Sequence, residues 1–258
     1  MSTKRRSSVK VSGKVLYLTE DPALLAAQLQ GQPLAFDADT HSLVNNISTD
    51  ELTPGWVCYY YDETLARYCL VGLRGGVIQR DAIKNGGFGV IVSGRSKGCG
   101  SSRETAPYSE REAGIQIVVA KSIEKIYGQN CQNIGLLTTT DFGVLDRVAR
   151  GEEIPISEFT KGLDEISRDI VLHGGLFAYN RARLAGEVTP PAIETPARPM
   201  TVAEKIIAAH AIVDADRRVV AVVRVDRTDG AVRVRVQVEV DGLLAERAAV
   251  LELAGRRG

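Results

Sequence analysis

The sequence predicts an α/β protein, and three observations carry that prediction. Short apolar runs, Phe88-Gly89-Val90-Ile91-Val92, Ile115-Gln116-Ile117-Val118-Val119-Ala120 and Leu136-Leu137-Thr138, have the length of buried strands. Segments with helical spacing separate them. The connection between the first two is too long for a hairpin and long enough for a helical crossover, which implies parallel pairing.

The elements follow in chain order. Residues 1–10 are polar and basic and are expected to be disordered. Residues 13–18 read as a strand. Asp21-Pro22 then opens a helix to about Gln30, with Asp at the N-cap, Pro at N1, and Leu24, Leu25 and Leu29 on one face. Residues 31–45 form a loop in which His41 stands alone, as a surface histidine does. Trp56-Val57-Cys58-Tyr59-Tyr60-Tyr61 fits a core or an interface better than a nucleic-acid stacking platform, because no basic residues interleave with it. Arg74 lies in a glycine setting, Gly72-Leu73-Arg74-Gly75-Gly76, as an exposed loop arginine does.

After residue 120, Ser122 is placed to cap a helix to about Asn130, and Gly135 to stop it. Residues 142–150 look helical, and Ile154-Pro155-Ile156 looks like a strand. His173 and His210 have no partner motif and read as structural. Residues 186–199 are rich in Pro, Thr, Ala and Glu and form a linker. Residues 217–258 use almost only Arg, Val, Ala, Asp, Glu, Leu and Gly. Val232 to Val240 alternates strictly, and Thr228-Asp229-Gly230 could turn a hairpin. A shifted reading frame in a GC-rich gene gives the same composition, and the reading favours a truncated product.

Composition narrows the function. The 258 residues allow one or two domains and a real core. Thirty-two basic residues balance 32 acidic ones, so no net field draws the chain to nucleic acid or an anionic membrane. Lys4-Arg5-Arg6 is followed by Ser-Ser-Val-Lys rather than by an apolar run, unlike a secretory signal. No apolar run approaches the roughly 20 residues of a membrane span. The expectation is a cytoplasmic protein with no membrane or nucleic-acid partner. The four cysteines form no C-x-x-C pair, so no metal-ligand set can be read. Cys58, Cys69 and Cys131 read as small buried hydrophobes.

The chemistry gathers at Lys97-Gly98-Cys99-Gly100-Ser101-Ser102-Arg103-Glu104, a glycine-rich turn between a strand and a helix. Gly98 and Gly100 allow positive φ and close backbone approach. The first N–H groups of a helix lack intrahelical partners, and the helix dipole is positive there. Such a place binds anions, and Arg103 adds a forked donor for a carboxylate or phosphate. Those residues alone leave a second reading open, in which Ser101 or Ser102 merely caps the helix with help from Glu104.

"GCGSSRE" followed by Ala106-Pro107 resembles the signature of the small, swivelling domain of the aconitase superfamily, in particular its 3-isopropylmalate dehydratase branch. Residues 46–55 are similar to that family's N-x-x-T-D-x-I-x-P segment, and residues 120–137 to its S-F-x-x-I-x-x-x-N-x-x-x-N-G-L-L stretch. The chain departs from the pattern at Thr105, where His is usual, and at Thr138, where Pro is usual. The resemblance implies a swivelling β/β/α domain over residues 11–185. It also reaches residues 198–207, which are similar to the beginning of the family's large part. Residues 200–258 are thus the start of a large-domain-like segment and a tail.

What the resemblance implies about chemistry is specific. The family dehydrates and rehydrates a hydroxy di- or tricarboxylate: a proton leaves the carbon beside a carboxylate, and hydroxide departs to the iron of a [4Fe–4S] cluster. Ser101 would be the base, as an alkoxide stabilised by the amides around Ser101–Arg103 in a dry cleft. Arg103 and Arg74 would clamp substrate carboxylates, and Ser102 would hydrogen-bond substrate. Asp50 could orient a neighbouring basic group. The cluster belongs to a large domain or subunit, so this chain is expected to bind no cofactor and to need that partner for activity. Two alternatives are an aconitate hydratase-like component and a non-catalytic carboxylate-binding or docking module.

Overall fold

A computed structural model describes residues 5–189, 220–228, 231–240 and 243–245. The chain divides into two compact units, residues 1–192 and 193–258.

The first unit is built on a four-stranded parallel sheet. Its strands are β2 (Lys14–Tyr17), β3 (Phe88–Ser93), β4 (Ile117–Ala120) and β5 (Leu137–Thr139), in that spatial order. A second, antiparallel pair joins β1 (Ser8–Lys10) to β6 (Glu153–Pro155). Between β2 and β3 lie α1 (Pro22–Leu29), α2 (Thr49–Leu52), the 3-10 helices Gly55–Val57 and Glu63–Tyr68, and α3 (Ala82–Gly86). The crossover from β3 to β4 is α4 (Thr105–Glu112), and that from β4 to β5 is α5 (Lys125–Ile134). Then follow α6 (Val144–Ala149), the 3-10 helix Ile156–Thr160, α7 (Glu165–His173) and α8 (Leu176–Leu184).

Strands β3 and β4 are buried along their whole length, as in a parallel sheet covered on both faces. The alternation of a strand sorts their side chains. Ile91 and Val118 join Leu16, Leu18, Leu52 and Leu70 in one core, while Val90, Val92, Ile117 and Val119 join Ile154, Ile156 and Val171 in the other. Each fully buried aliphatic side chain contributes about 1.5–3 kcal/mol against exposure. Helix α1 begins as its sequence dictates: the Asp21 carboxylate accepts from the backbone N–H of Ala23 at 2.8 Å, with Pro22 at N1. Gly135 ends α5 in the left-handed region.

Several expectations need correction. Residues 8–10 are not disordered: they pair with β6, and just before them the Arg6 N–H donates to the Leu172 carbonyl. Ser122 does not cap α5, whose N-cap is Glu124; the Ser122 hydroxyl instead accepts from the Ser96 N–H at 2.8 Å. Trp56, Tyr59, Tyr60 and Tyr61 are exposed rather than core. Cys69 and Cys131 are buried as expected, but Cys58 is only half-buried. His173 is buried, with its ring edge-on to Tyr179.

In the second unit β7 (Val220–Thr228) pairs antiparallel with β8 (Ala231–Val240), and β8 with β9 (Leu243–Ala245). The register sets Thr228 opposite Ala231, as the expected hairpin requires. Residues 190–199 of the expected linker, the segment 200–207 and His210 lie outside the described residues.

Candidate functional site

The site forms where two loops meet beyond the carboxyl ends of the parallel strands, the usual place for ligands in open α/β sheets. One loop, residues 94–104, leaves β3. The other, residues 42–48, leads into α2. Backbone hydrogen bonds zip them together: Gly94 N–H to Val44 O, Asn46 N–H to Arg95 O, Gly98 N–H to Ile47 O and Thr49 N–H to Cys99 O, all between 2.7 and 2.9 Å.

Helix α2 is only four residues long, and its start is fixed by a capping box. The Ser48 hydroxyl accepts from the Glu51 N–H, and the Glu51 carboxylate accepts from the Ser48 N–H at 2.8 Å. That turn meets the three strongest sequence candidates with three successive residues. Thr49 Oγ1 donates to the Ser101 carbonyl at 3.0 Å and lies 3.2 Å from Ser101 Oγ. Asp50 makes a two-pronged ion pair with Arg103, its second prong 3.1 Å long. Glu51 takes Arg74 in the same way, at 2.7 and 3.0 Å.

Each arginine is thus oriented by a carboxylate of α2, and each keeps further donors. Arg103 also donates to the Thr53 carbonyl at 3.4 Å, and Arg74 to that of Asn46 at 2.8 Å. Asp50 is 61 % exposed at its side chain, and the basic group it orients is Arg103. Glu51 is more enclosed. Burial pushes its pKa up, but the Arg74 guanidinium and the N–H groups of Ser48 and Arg74 outweigh that and hold it at about 2. The Arg74 loop lies close on α2 because Gly72 has no side chain: a Cβ there would stand 2.4 Å from the Asp50 carbonyl oxygen.

The serines do not cap α4. That helix begins at Thr105 with Glu104 at the N-cap and no side-chain cap. Ser101 and Ser102 are exposed, and no described residue accepts from the backbone N–H of Ser101, Ser102 or Arg103. Three backbone donors without a described acceptor, a guanidinium and two exposed hydroxyls therefore lie in one three-residue stretch, a set that suits an oxyanion or a carboxylate. Beside them an open cavity of about 360 Å³ is lined by Gly55, Cys58, Arg103, Glu104 and Thr105. Cys58 Sγ lies 3.3 Å from Thr105 Oγ1, so this departure from the family pattern stands on the cavity wall. Thr138 lines a separate cavity with Thr139, Thr140, Asp141 and Lys161.

Among the described residues no group of three or more His, Cys, Asp or Glu is placed to hold a metal ion. Burial also pushes the Cys69 and Cys131 thiols up, which disfavours the thiolates a cluster needs. Sequence reasoning passes over Ser48 and Glu51, although S-x-x-E at Ser48–Glu51 is a legible capping box.

Comparison with known proteins shows the family. Residues 79–141 match the aconitase C-terminal domain. The 3-isopropylmalate dehydratase small subunit of Nitratidesulfovibrio vulgaris is 32 % identical over 169 residues, spanning 60 % of this chain and 99 % of that protein. The chain belongs to the family of 3-isopropylmalate dehydratase small subunits. The isopropylmalate/citramalate isomerase small subunit of Methanocaldococcus jannaschii is 32 % identical over 55 % of this chain and 90 % of its own length. An aconitase of Alternaria alternata, AMT8, is 31 % identical over 62 % of this chain but only 21 % of its own length. The small-subunit family accounts for the mixed α/β fold with its parallel sheet, the swivel part of an aconitase-superfamily hydro-lyase. Among the described residues no helix is long and apolar enough to cross a membrane.

Proposed function

We propose that this chain is the swivel component of a hydro-lyase that removes and re-adds water on a hydroxy dicarboxylate of the 3-isopropylmalate type. One observation supports it above the others. The turn Ser48–Glu51 brings Ser101, Arg103 and Arg74 to one place, each through a side-chain contact.

The chain's own share of the chemistry is proton removal and carboxylate binding. Ser101 Oγ takes the proton from the carbon beside a carboxylate. An alkoxide is unfavourable in neutral water, so it needs the open N–H donors of residues 101–103 and the Arg103 charge in a cleft from which water is excluded. Thr49 Oγ1 lies 3.0 Å from the Ser101 carbonyl oxygen and 3.2 Å from Ser101 Oγ, so turning its proton from the first to the second lets it donate to the alkoxide and fix its direction. Arg103 and Arg74 receive the substrate carboxylates, exchanging donors now spent on Asp50 and Glu51. Ser102, exposed next to the base, donates to the substrate. The described cysteines do not fit an iron–sulfur cluster, so the [4Fe–4S] group falls to a large domain or subunit, which would take the leaving hydroxyl.

The experiment combines the purified chain with a cluster-loaded large subunit and follows the unsaturated dicarboxylate formed from 3-isopropylmalate by its absorbance. Turnover is expected only in the mixture. The chain alone, after anaerobic reconstitution with iron and sulfide, should show no cluster absorbance. A stoichiometric cluster spectrum on the chain alone, or no turnover in the mixture, overturns the proposal. Aconitate in the same assay separates the dehydratase reading from an aconitase-like one.

A further inference from the structure

Beneath the serine loop lies a charged cluster that proton abstraction leaves unused. Lys97, immediately before Gly98, is fully buried, and so is Glu110 on α4. Lys97 Nζ stands 2.8 Å from Glu110 Oε1, a fully buried ion pair. Glu110 Oε2 accepts a hydrogen bond from the buried Tyr127 hydroxyl on α5. The ammonium also lies 5.9 Å from the centre of the Tyr127 ring. Burial pushes up the Tyr127 phenol and the thiols of Cys69 and Cys131, and the Glu110 charge adds to it. These neighbours stay neutral.

Stability alone does not account for such a pair. Taking two charges out of water is costly, and apolar residues of equal volume often serve as well or better. What the pair does supply is direction. The Lys97 N–H donates to the Ser122 carbonyl at 3.1 Å, and the Lys97 carbonyl accepts from the Glu124 N–H at 3.0 Å. The next residue rests on the same aromatic ring. A Cβ on Gly98 would stand 2.2 Å from Tyr127 Cγ, and its φ of +82° suits glycine. Side chain, backbone and ring contact thus converge on residues 97 and 98, just ahead of Ser101.

We propose that Lys97, acting with Glu110 and Tyr127, is a positioning residue for the serine loop. The buried ion pair selects one arrangement of residues 98–103, in which Ser101 and Arg103 face the substrate carboxylate together. An alkyl side chain fills the same volume but has no preferred heading. A charge held between a carboxylate and a ring has one. The catalytic half of this inference rests on the function proposed above, and the structural half does not.

Two variants test it. Lys97→Met removes one charge and leaves Glu110 unpaired. Lys97→Met/Glu110→Leu, carried on a Tyr127→Phe background so that no buried hydroxyl loses its acceptor, removes both and keeps the volume, so it remains decisive if the single variant fails to fold. Loop order is read in the folded chain by amide hydrogen exchange at Gly98 and Cys99, whose N–H groups donate to the Ile47 carbonyl, and by iodoacetamide labelling of Cys99, located by mass spectrometry. Turnover is read in the assembled enzyme. The double variant should melt close to the wild-type temperature, while exchange and Cys99 labelling quicken at least about tenfold. Its kcat should fall about 10- to 100-fold, with a smaller rise in KM, the scale on which a small misplacement acts. A double variant with wild-type exchange and labelling overturns the inference, and so does a loosened loop with unchanged kcat. If the assembled wild-type enzyme turns over no substrate, the proposed function fails, while exchange and labelling still decide whether the pair holds the loop.

Discussion

Ser101 and Glu51 do different work, and different measurements reach them. Ser101 is exposed and caps no helix, so its removal should leave the melting temperature alone. In the assembled enzyme Ser101→Ala should lower kcat by at least about a hundredfold, the share of a positioned acid–base group. KM should move little, because both arginines remain. The internal control is Ser102→Ala: if it abolished turnover while Ser101→Ala did not, the base would be the second serine. Glu51 answers to pH. Its carboxylate is held at about 2 against an ordinary 4.5, a depressed value, so folding binds fewer protons there than unfolding does. Its contribution is complete above about pH 4.5 and drains away as pH falls toward 2. Urea unfolding between those limits should be less pH-dependent in Glu51→Gln than in the wild type. An identical slope in both would remove Glu51 from the acid response.

Helix α2 shows how little local signal a functional element needs. Four residues cannot form a stable helix alone, since the first turn is the costly one. The capping box and the contacts with residues 99–103 hold it instead. Ser48→Ala should therefore cost about 1 kcal/mol, a drop of about 2–4 °C in a domain of this size. It should also raise KM in the assembled enzyme, because the turn that aims Arg74 and Arg103 loosens. Calorimetry and steady-state kinetics on the one variant check both. The same scale explains what was legible. Asp21-Pro22 announces α1 because the cap and its recipients are neighbours in sequence. Ser122 looks like a cap, yet its hydroxyl is taken by Ser96 across the site loop. Ser101 and Ser102 look like caps too, but α4 starts only at Thr105. Local signals mislead where a partner distant in sequence claims the same atom.

At the scale of the whole molecule the sheet and the position of the serine loop are readable from apolar runs and crossover length. Ser101, Ser102 and Arg103 are readable from the glycine-rich motif that frames them. Asp50 is readable as a carboxylate that orients a basic group, but neither the identity of its partner, Arg103, nor the Glu51–Arg74 pair is, because these pairs join residues far apart in the chain. Nor is the amino-terminal strand: polar, basic residues read as disordered until a distant edge is there to receive them. That pairing has a consequence in time. Ser8 bonds to Glu153, 145 residues further on. A ribosome adding about 5–20 residues per second needs on the order of 10–30 seconds to cover that distance. The first strand therefore waits, unpaired, for nearly the whole synthesis of the first unit. Closing so large a loop comes late on the folding path, after the shorter crossovers have formed. Val9→Ala should then hasten unfolding and leave the folding rate almost unchanged in stopped-flow experiments. A slowed folding arm instead would place this contact in the nucleus. A seam that shuts last is also where the native protein first comes open.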